Sequence, residues 1–119
     1  MDPLWRIELF GGLRVRQGGQ ETTHFRTRKT GALLAYLAYH CPGNHAREVL
    51  IHLLWPECIP RRGHHSLSMA LSSLRHLLEP PGVPFGTVVV ANHLTVGLNP
   101  VALTTDVAEY EAAWQSACR

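Results

Sequence analysis

The stretch RRGHHSLSMALSSLRHLL, residues 61–78, decides the fold. Leu67, Ala70, Leu71, Leu74, Leu77 and Leu78 recur at helical spacing and make one apolar stripe. The opposite side carries Arg61, Arg62, His65, Ser68, Met69, Ser72 and His76, and no Asp or Glu stands between Ile59 and Leu78. A solvated helix face ordinarily mixes both signs of charge. A face of Arg, His and Ser without a carboxylate suits a groove lined with phosphates.

Two more helices precede this one. Residues 47–55 predict a short helix with Val49, Leu50, Leu53 and Leu54 facing inward, ended by Pro56. Trp55, in the turn before the long helix, reads as a plug in the core. Residues 27–40 predict another helix, capped by Thr27 or Thr30, with Leu33, Leu34, Leu37 and Ala38 as its apolar face; Pro42-Gly43 stop it. A short segment, 44–46, joins these two. Pro80-Pro81-Gly82 terminate the long helix.

Both flanks read as strand. In the opening WRIELFGGLRVRQGGQETTHF (5–25), Trp5, Ile7 and Leu9 alternate with Arg6, Glu8 and Phe10. Gly11-Gly12 and Gly18-Gly19 supply turns, so two or three antiparallel strands are expected, the third over 21–25. Residues 87–91 and 94–98 are β-rich runs joined by Asn92-His93, a hairpin. Asp106 then caps a last helix containing Val107, Tyr110, Ala113 and Trp114.

Composition narrows the classes. A chain of 119 residues, 45% hydrophobic and 17% charged, is ordinary globular material for one domain and part of another. It lacks the run of about 20 apolar residues that a membrane span needs, and no signal-peptide pattern opens it. Three cysteines (Cys41, Cys58, Cys118) without CxxC spacing argue against a disulfide framework and for a cytoplasmic protein. The net charge of +2 hides an asymmetry: ten Lys/Arg and six Asp/Glu up to residue 105, then three acids against Arg119. That shift marks a boundary near residue 100.

Eight histidines raise the question of a metal or an enzyme. His64-His65 would point to different helix faces, His40, Cys41 and His45 form only a loose cluster, and no HExxH, CxxC or HxH spacing occurs. Paired carboxylates, GxSxG and a phosphate-loop glycine pattern are missing too. The expectation is therefore no enzyme, no metal and no cofactor.

Three helices followed by a β-hairpin, behind an antiparallel sheet, make an α+β, OmpR-like winged helix-turn-helix. IELFGGLRV (7–15), RKTGALLAYLAYH (28–40), REVLIHLLWP (47–56) and SLSMALSSLRHLL (66–78) resemble the N-terminal DNA-binding domain of SARP-type bacterial regulators. LTTDVAEYEAAW (103–114) resembles the start of their second, helical module, the bacterial transcriptional activator domain (BTAD). The resemblance implies residues 1–100 as the DNA-binding domain and 101–119 as a linker plus the beginning of the next. It also implies an activator whose third helix enters the major groove of double-stranded DNA at promoter direct repeats. RNA polymerase contact, dimerisation through a downstream domain and nucleoid association come with it, and membrane contact does not. Family members usually carry more Arg in the third helix, where this chain has His64, His65, Ser72, Ser73 and His76.

On that reading Arg61, Arg62, His65, Ser68, Met69, Ser72 and His76 are the base-contacting candidates. Arg forks to guanine, Ser and His reach bases or phosphates, and Met69 can touch a thymine methyl. Arg28, Lys29, Arg47, Arg75, Asn92 and His93 are the phosphate-contacting candidates. Arg75 can instead pair with Glu79 at i+4. The wing has no Lys or Arg between Pro84 and Val101, so Asn92, His93 and Thr95 are the contacts expected of it. The competing reading is a winged helix that contacts protein, either polymerase or its own downstream chain.

Overall fold

The computed structural model describes residues 5–118, so the outer ends of the two expected units (1–4 and 119) lie outside the described residues. Within them the chain is mixed α+β, with four helices and two sheets. Strands β1 (Trp5–Glu8), β2 (Arg14–Gln17) and β3 (Gln20–Thr22) lead into helix α1 (Arg28–Tyr39). A short strand β4 (Asn44–Ala46) runs directly into α2 (Arg47–Leu54), and α3 (Pro60–Leu78) follows. The hairpin β5 (Val89–Ala91) and β6 (Thr95–Leu98), strand β7 (Leu103–Thr105) and helix α4 (Asp106–Ala117) complete the order.

Alternation builds the first sheet. Trp5, Ile7 and Val15 are buried on one side, while Arg6, Arg14 and Arg16 lie on the other, which is half-buried or exposed. Gly11, Gly12 and Gly18 adopt positive φ in the two turns, a region open to glycine without a steric cost. α1 begins where expected: the Thr27 hydroxyl accepts from the Thr30 N–H at 3.1 Å. Its Leu33, Leu34, Leu37 and Ala38 meet Leu67, Leu71, Leu74 and Leu78 of α3 in one core with Val88, Val89, Val96 and Leu98. Trp55 is buried in that core, as expected.

Two close fits hold α3. At its N-terminal end Gly63 lies against Ile51 of α2; a Cβ there would stand 2.5 Å from Ile51 Cγ2. At its C-terminal end Glu79 caps the helix with a carboxylate only 3% exposed. Glu79 accepts from the backbone N–H groups of Val88 and Val89 at 2.8 Å each, from Gly86 N–H at 3.0 Å and from Arg75 Nη1 at 3.0 Å. Burial pushes this carboxyl up, but the three N–H donors and Arg75 outweigh it and hold the group below the usual carboxylate range. The Trp5 indole N–H donates to the Leu78 carbonyl at 3.0 Å and ties the first sheet to the same helix end.

Four elements differ from expectation. The first sheet is not purely antiparallel: β7 pairs parallel to β1, giving the order β3-β2-β1-β7, so residues 103–105 belong to it. β4 adds a third strand to the hairpin, in the order β4-β6-β5. On α2, Val49 and Leu53 are 53% and 51% exposed, because Leu50, Ile51 and Trp55 take the inward side. Nearly every side of REVLIHLL is apolar, so spacing alone leaves its rotation open. The cap of α4 is Thr105, whose hydroxyl accepts from Ala108 N–H at 3.0 Å; Asp106 is turned back to accept from Leu9 and Phe10 N–H.

Gly63→Ala is expected to cost about 1–3 kcal/mol, the usual price of overpacking, because Ile51 is a core side chain with little room to retreat. An unchanged denaturation midpoint would remove the close crossing from the account. For Glu79 the sign follows from its depressed carboxyl: its contribution is complete above the ordinary carboxylate range and is lost as pH falls through and below it. Glu79→Gln should therefore lower stability at pH 7 and flatten the loss of stability on acidification below about pH 5. Parallel pH profiles for the two proteins would contradict this.

Candidate nucleic-acid interface

α3 starts without a side-chain cap: Ile59 is at the N-cap, Pro60 stands in the first turn and no acid accompanies it. Pro60 has no N–H to satisfy, which suits this position. From there Arg61, Arg62, His65, Ser68, Met69, Ser72 and His76 are all exposed, on the side opposite buried Leu67, Ala70, Leu71, Leu74 and Leu78. Among the described residues none of these polar side chains has a hydrogen-bond or ion-pair partner. The structure brings all seven base-contacting candidates onto one open helix face.

The phosphate-contacting candidates divide. Lys29 reaches the turn between α2 and α3, where its ammonium lies 2.6 Å from Glu57 and 5.9 Å from the centroid of the Trp55 ring. That hydrogen bond from Lys29 is the main reason the Glu57 carboxyl lies below its usual range. Arg28, one residue earlier, turns to a groove lined by Leu13 and Phe25. Arg47 opens α2 and holds the hairpin tip: its backbone N–H donates to the Leu94 carbonyl at 2.9 Å and its Nε to the Asn92 carbonyl at 2.7 Å. The Asn92 side chain is spent on the turn, accepting from Leu94 and Thr95 N–H at 2.8 Å each. His93 is exposed at the tip, and Thr95 lies half-buried beside it. Arg75 is only 17% exposed, paired with Glu79 and stacked on Phe85 with its guanidinium carbon 3.7 Å from the ring centroid. Of the two partners considered for Arg75, Glu79 is the one it meets.

Two carboxylates near this face were invisible in the local sequence. Glu48 of α2 accepts from His64 Nε2 at 2.9 Å, and Glu57 holds Lys29. Both come from the preceding helix and its turn, so the acid-free run 59–78 overstates the positive character of the assembled surface. The only available signal was the i→i+16 partnership that a tight two-helix turn creates, and spacing rules do not expose it.

The loose His40–Cys41–His45 cluster is real but small. His40 and His45 rings lie 5.8 Å apart beside Tyr36, and Nε2 of His45 is buried without a partner. Burial, then the nearby His40, pushes the His45 imidazole down. The half-buried Cys41 thiol, pushed up by burial, lies 3.8 Å from the Leu98 carbonyl. Among the described residues no group of three or more His, Cys, Asp or Glu is arranged to hold a metal ion. None of the described helices is long and apolar enough to cross a membrane.

No protein-family model and no curated protein matches the chain. Among solved structures it is similar to Mycobacterium tuberculosis EmbR, determined in complex with a low-affinity phosphopeptide, with a TM-score of 0.71 and 25% identity. The likeness covers 86% of this chain and 27% of that one, so this chain spans about a quarter of the EmbR structure.

Replacing Arg47 by Ala removes the side-chain tie to Asn92 at the hairpin tip. The expected result is faster amide exchange at Leu94 and Thr95 with a stability loss of about 0.5–1.5 kcal/mol. Exchange that stays as slow as in the wild type would show the tip to be held by its own turn alone.

Proposed function

We propose that this chain is the DNA-binding part of a bacterial transcription regulator of SARP type, built as a winged helix. α3 enters the major groove of double-stranded DNA and the hairpin β5–β6 serves as the wing. The observation that carries this reading is the open face of α3, on which Arg61, Arg62, His65, Ser68, Ser72 and His76 have no partner among the described residues. The likeness to EmbR, a SARP-family regulator, supports a regulatory DNA-binding domain.

In this reading Arg61, Arg62, His65, Ser68 and Met69, on the N-terminal half of α3, go deepest into the groove. Ser72 and His76 follow along its edge. Lys29, Arg47, Asn92 and His93 flank the helix and meet phosphates through the donors that their internal bonds leave free. Arg28 and Arg75 are turned elsewhere, to the groove and to Glu79, and add general attraction. Residues 1–100 form the DNA-binding domain; 101–119 are a linker, which includes β7, and the beginning of a helical activator domain. Promoter direct repeats, RNA polymerase contact and a dimer made downstream belong to the same proposal, and no catalysis or cofactor is part of it.

A second reading, contact with protein, draws on exposed Val49 and Leu53 of α2, apolar side chains that a phosphate backbone would not cover. One experiment separates the two. Random-sequence duplexes are enriched at low salt with the 119-residue protein and with Arg61→Ala/Arg62→Ala, both checked for an unchanged melting transition. A recovered motif, weakened about tenfold to a hundredfold in the variant, is the expected result, since one good base contact carries about 1–3 kcal/mol of discrimination. Equal enrichment by both proteins would put base reading elsewhere than Arg61 and Arg62, and none by either would favour the protein contact.

A further inference from the structure

α1 has a second surface besides its core face. Arg28, Gly31, Ala32 and Ala35 stand at helical i, i+3, i+4 and i+7 positions, on the side away from Leu33, Leu34 and Leu37. Leu13, just before β2, and Phe25, after β3, face them across a groove of about 400 Å³. Gly31 sets its shape: a Cβ there would already touch Phe25 Cδ2 at 3.3 Å and Leu13 Cδ2 at 3.5 Å, so the ring rests on the helix backbone. The floor is left shallow and apolar, with Ala32 exposed.

The charge around this groove is one-sided. Of the lining residues Arg28 is the charged one, and no Asp or Glu lines the groove. Lys29 is taken by Glu57. Arg28 on the rim and Arg26 beside Phe25 have no partner among the described residues. The first sheet also ends here. β3 is its edge strand, bonded to β2 on one side only, and runs directly into Thr23 of the groove wall. An edge strand offers a row of backbone donors and acceptors to an extended chain.

We infer that this groove is a docking site for an extended acidic peptide segment with one apolar anchor side chain. The anchor lies on Gly31, Ala32 and Ala35 against Phe25. Flanking carboxylates face Arg28 and Arg26, and the peptide backbone pairs along β3. An apolar floor has nothing to gain from a phosphate backbone, which separates this site from the α3 face. A small ligand would leave much of its surface in water on so open a floor, whereas a peptide needs only its anchor covered. The inference stands on its own observations and does not depend on DNA binding.

The test uses the whole 119-residue protein and a fluorescein-labelled peptide of about ten residues, Asp and Glu with a single central Phe. Fluorescence polarisation should show saturable binding, with amide shifts gathered at Leu13, Phe25, Gly31 and Ala32. Ala32→Leu, which fills the floor at an exposed helix position, and Arg28→Glu should each weaken it about tenfold or more. Arg61→Ala/Arg62→Ala should leave it within about twofold, and a duplex should not displace the peptide. Unchanged melting of Ala32→Leu confirms that its loss is local, with Arg28→Glu as the independent variant. No binding, equal binding after the Phe is changed to Ser, or displacement by DNA would overturn the inference. The last outcome would mark the groove as part of a nucleic-acid surface.

Discussion

The buried carboxylate of Glu79 is the point on which the arrangement of α3 and the hairpin turns. It stands at the end of α3 and gathers the N–H groups of Gly86, Val88 and Val89 from the chain that becomes β5. A carboxylate out of water is costly unless it is fully bonded. Here four donors meet it, so the loop 80–88 and the first strand of the hairpin are fixed to the helix from which they emerge. Arg75 completes the set and lays its guanidinium on Phe85, which is otherwise 81% exposed. The Trp5–Leu78 bond brings the first sheet to the same spot, so three parts of the chain converge on one helix end.

The other end of α3 is set chiefly by shape, with the His64–Glu48 contact beside it. Gly63 lets α2 approach until Ile51 fills the space a side chain would take. With one end fixed by charge and the other by contact, the helix has little freedom to rotate. Its exposed face is therefore presented in a single orientation without Arg61, Arg62, His65, Ser68, Ser72 or His76 being spent on holding it. A recognition surface needs this separation of duties, because groups that are already bonded must give something up to meet a ligand.

Much of this was legible. Long, strongly periodic segments such as 61–78 and 27–40 became the expected helices, and of the two capping candidates Thr27 took the role. The hairpin turned where Asn92-His93 placed it. The failures share one cause, which is that partners distant in sequence outvoted local pattern. The rotation of α2 was settled by which residues α3 and the core could accept, leaving Val49 and Leu53 outside. Asp106 reads locally as a cap, yet the free N–H groups of Leu9 and Phe10 claimed it and left the capping to Thr105. β7 is too short to announce itself, and Trp5, Arg6 and Ile7 of β1 recruited it. Glu79 looked like half of an i,i+4 pair; its three backbone partners, seven to ten residues on, gave no signal at all.

Net charge proves a poor guide to this surface for the same reason. A balance of +2 suggests little electrostatic character. Yet Glu8, Glu21, Glu48, Glu57, Glu79, Asp106 and Glu109 are each bonded within the fold. Arg14, Arg26, Arg28, Arg61 and Arg62 have no such partner among the described residues. Most acids serve as internal ties while five arginines stay uncommitted, so the potential varies over the surface and is not read from the net charge alone. Arg61 and Arg62 open α3, Arg28 and Arg26 stand at the α1 groove and beside Phe25, and Arg14 lies on the outer face of the first sheet. A near-neutral chain can thus carry separate patches of uncommitted arginine, one on a polar helix face and one beside an apolar groove floor.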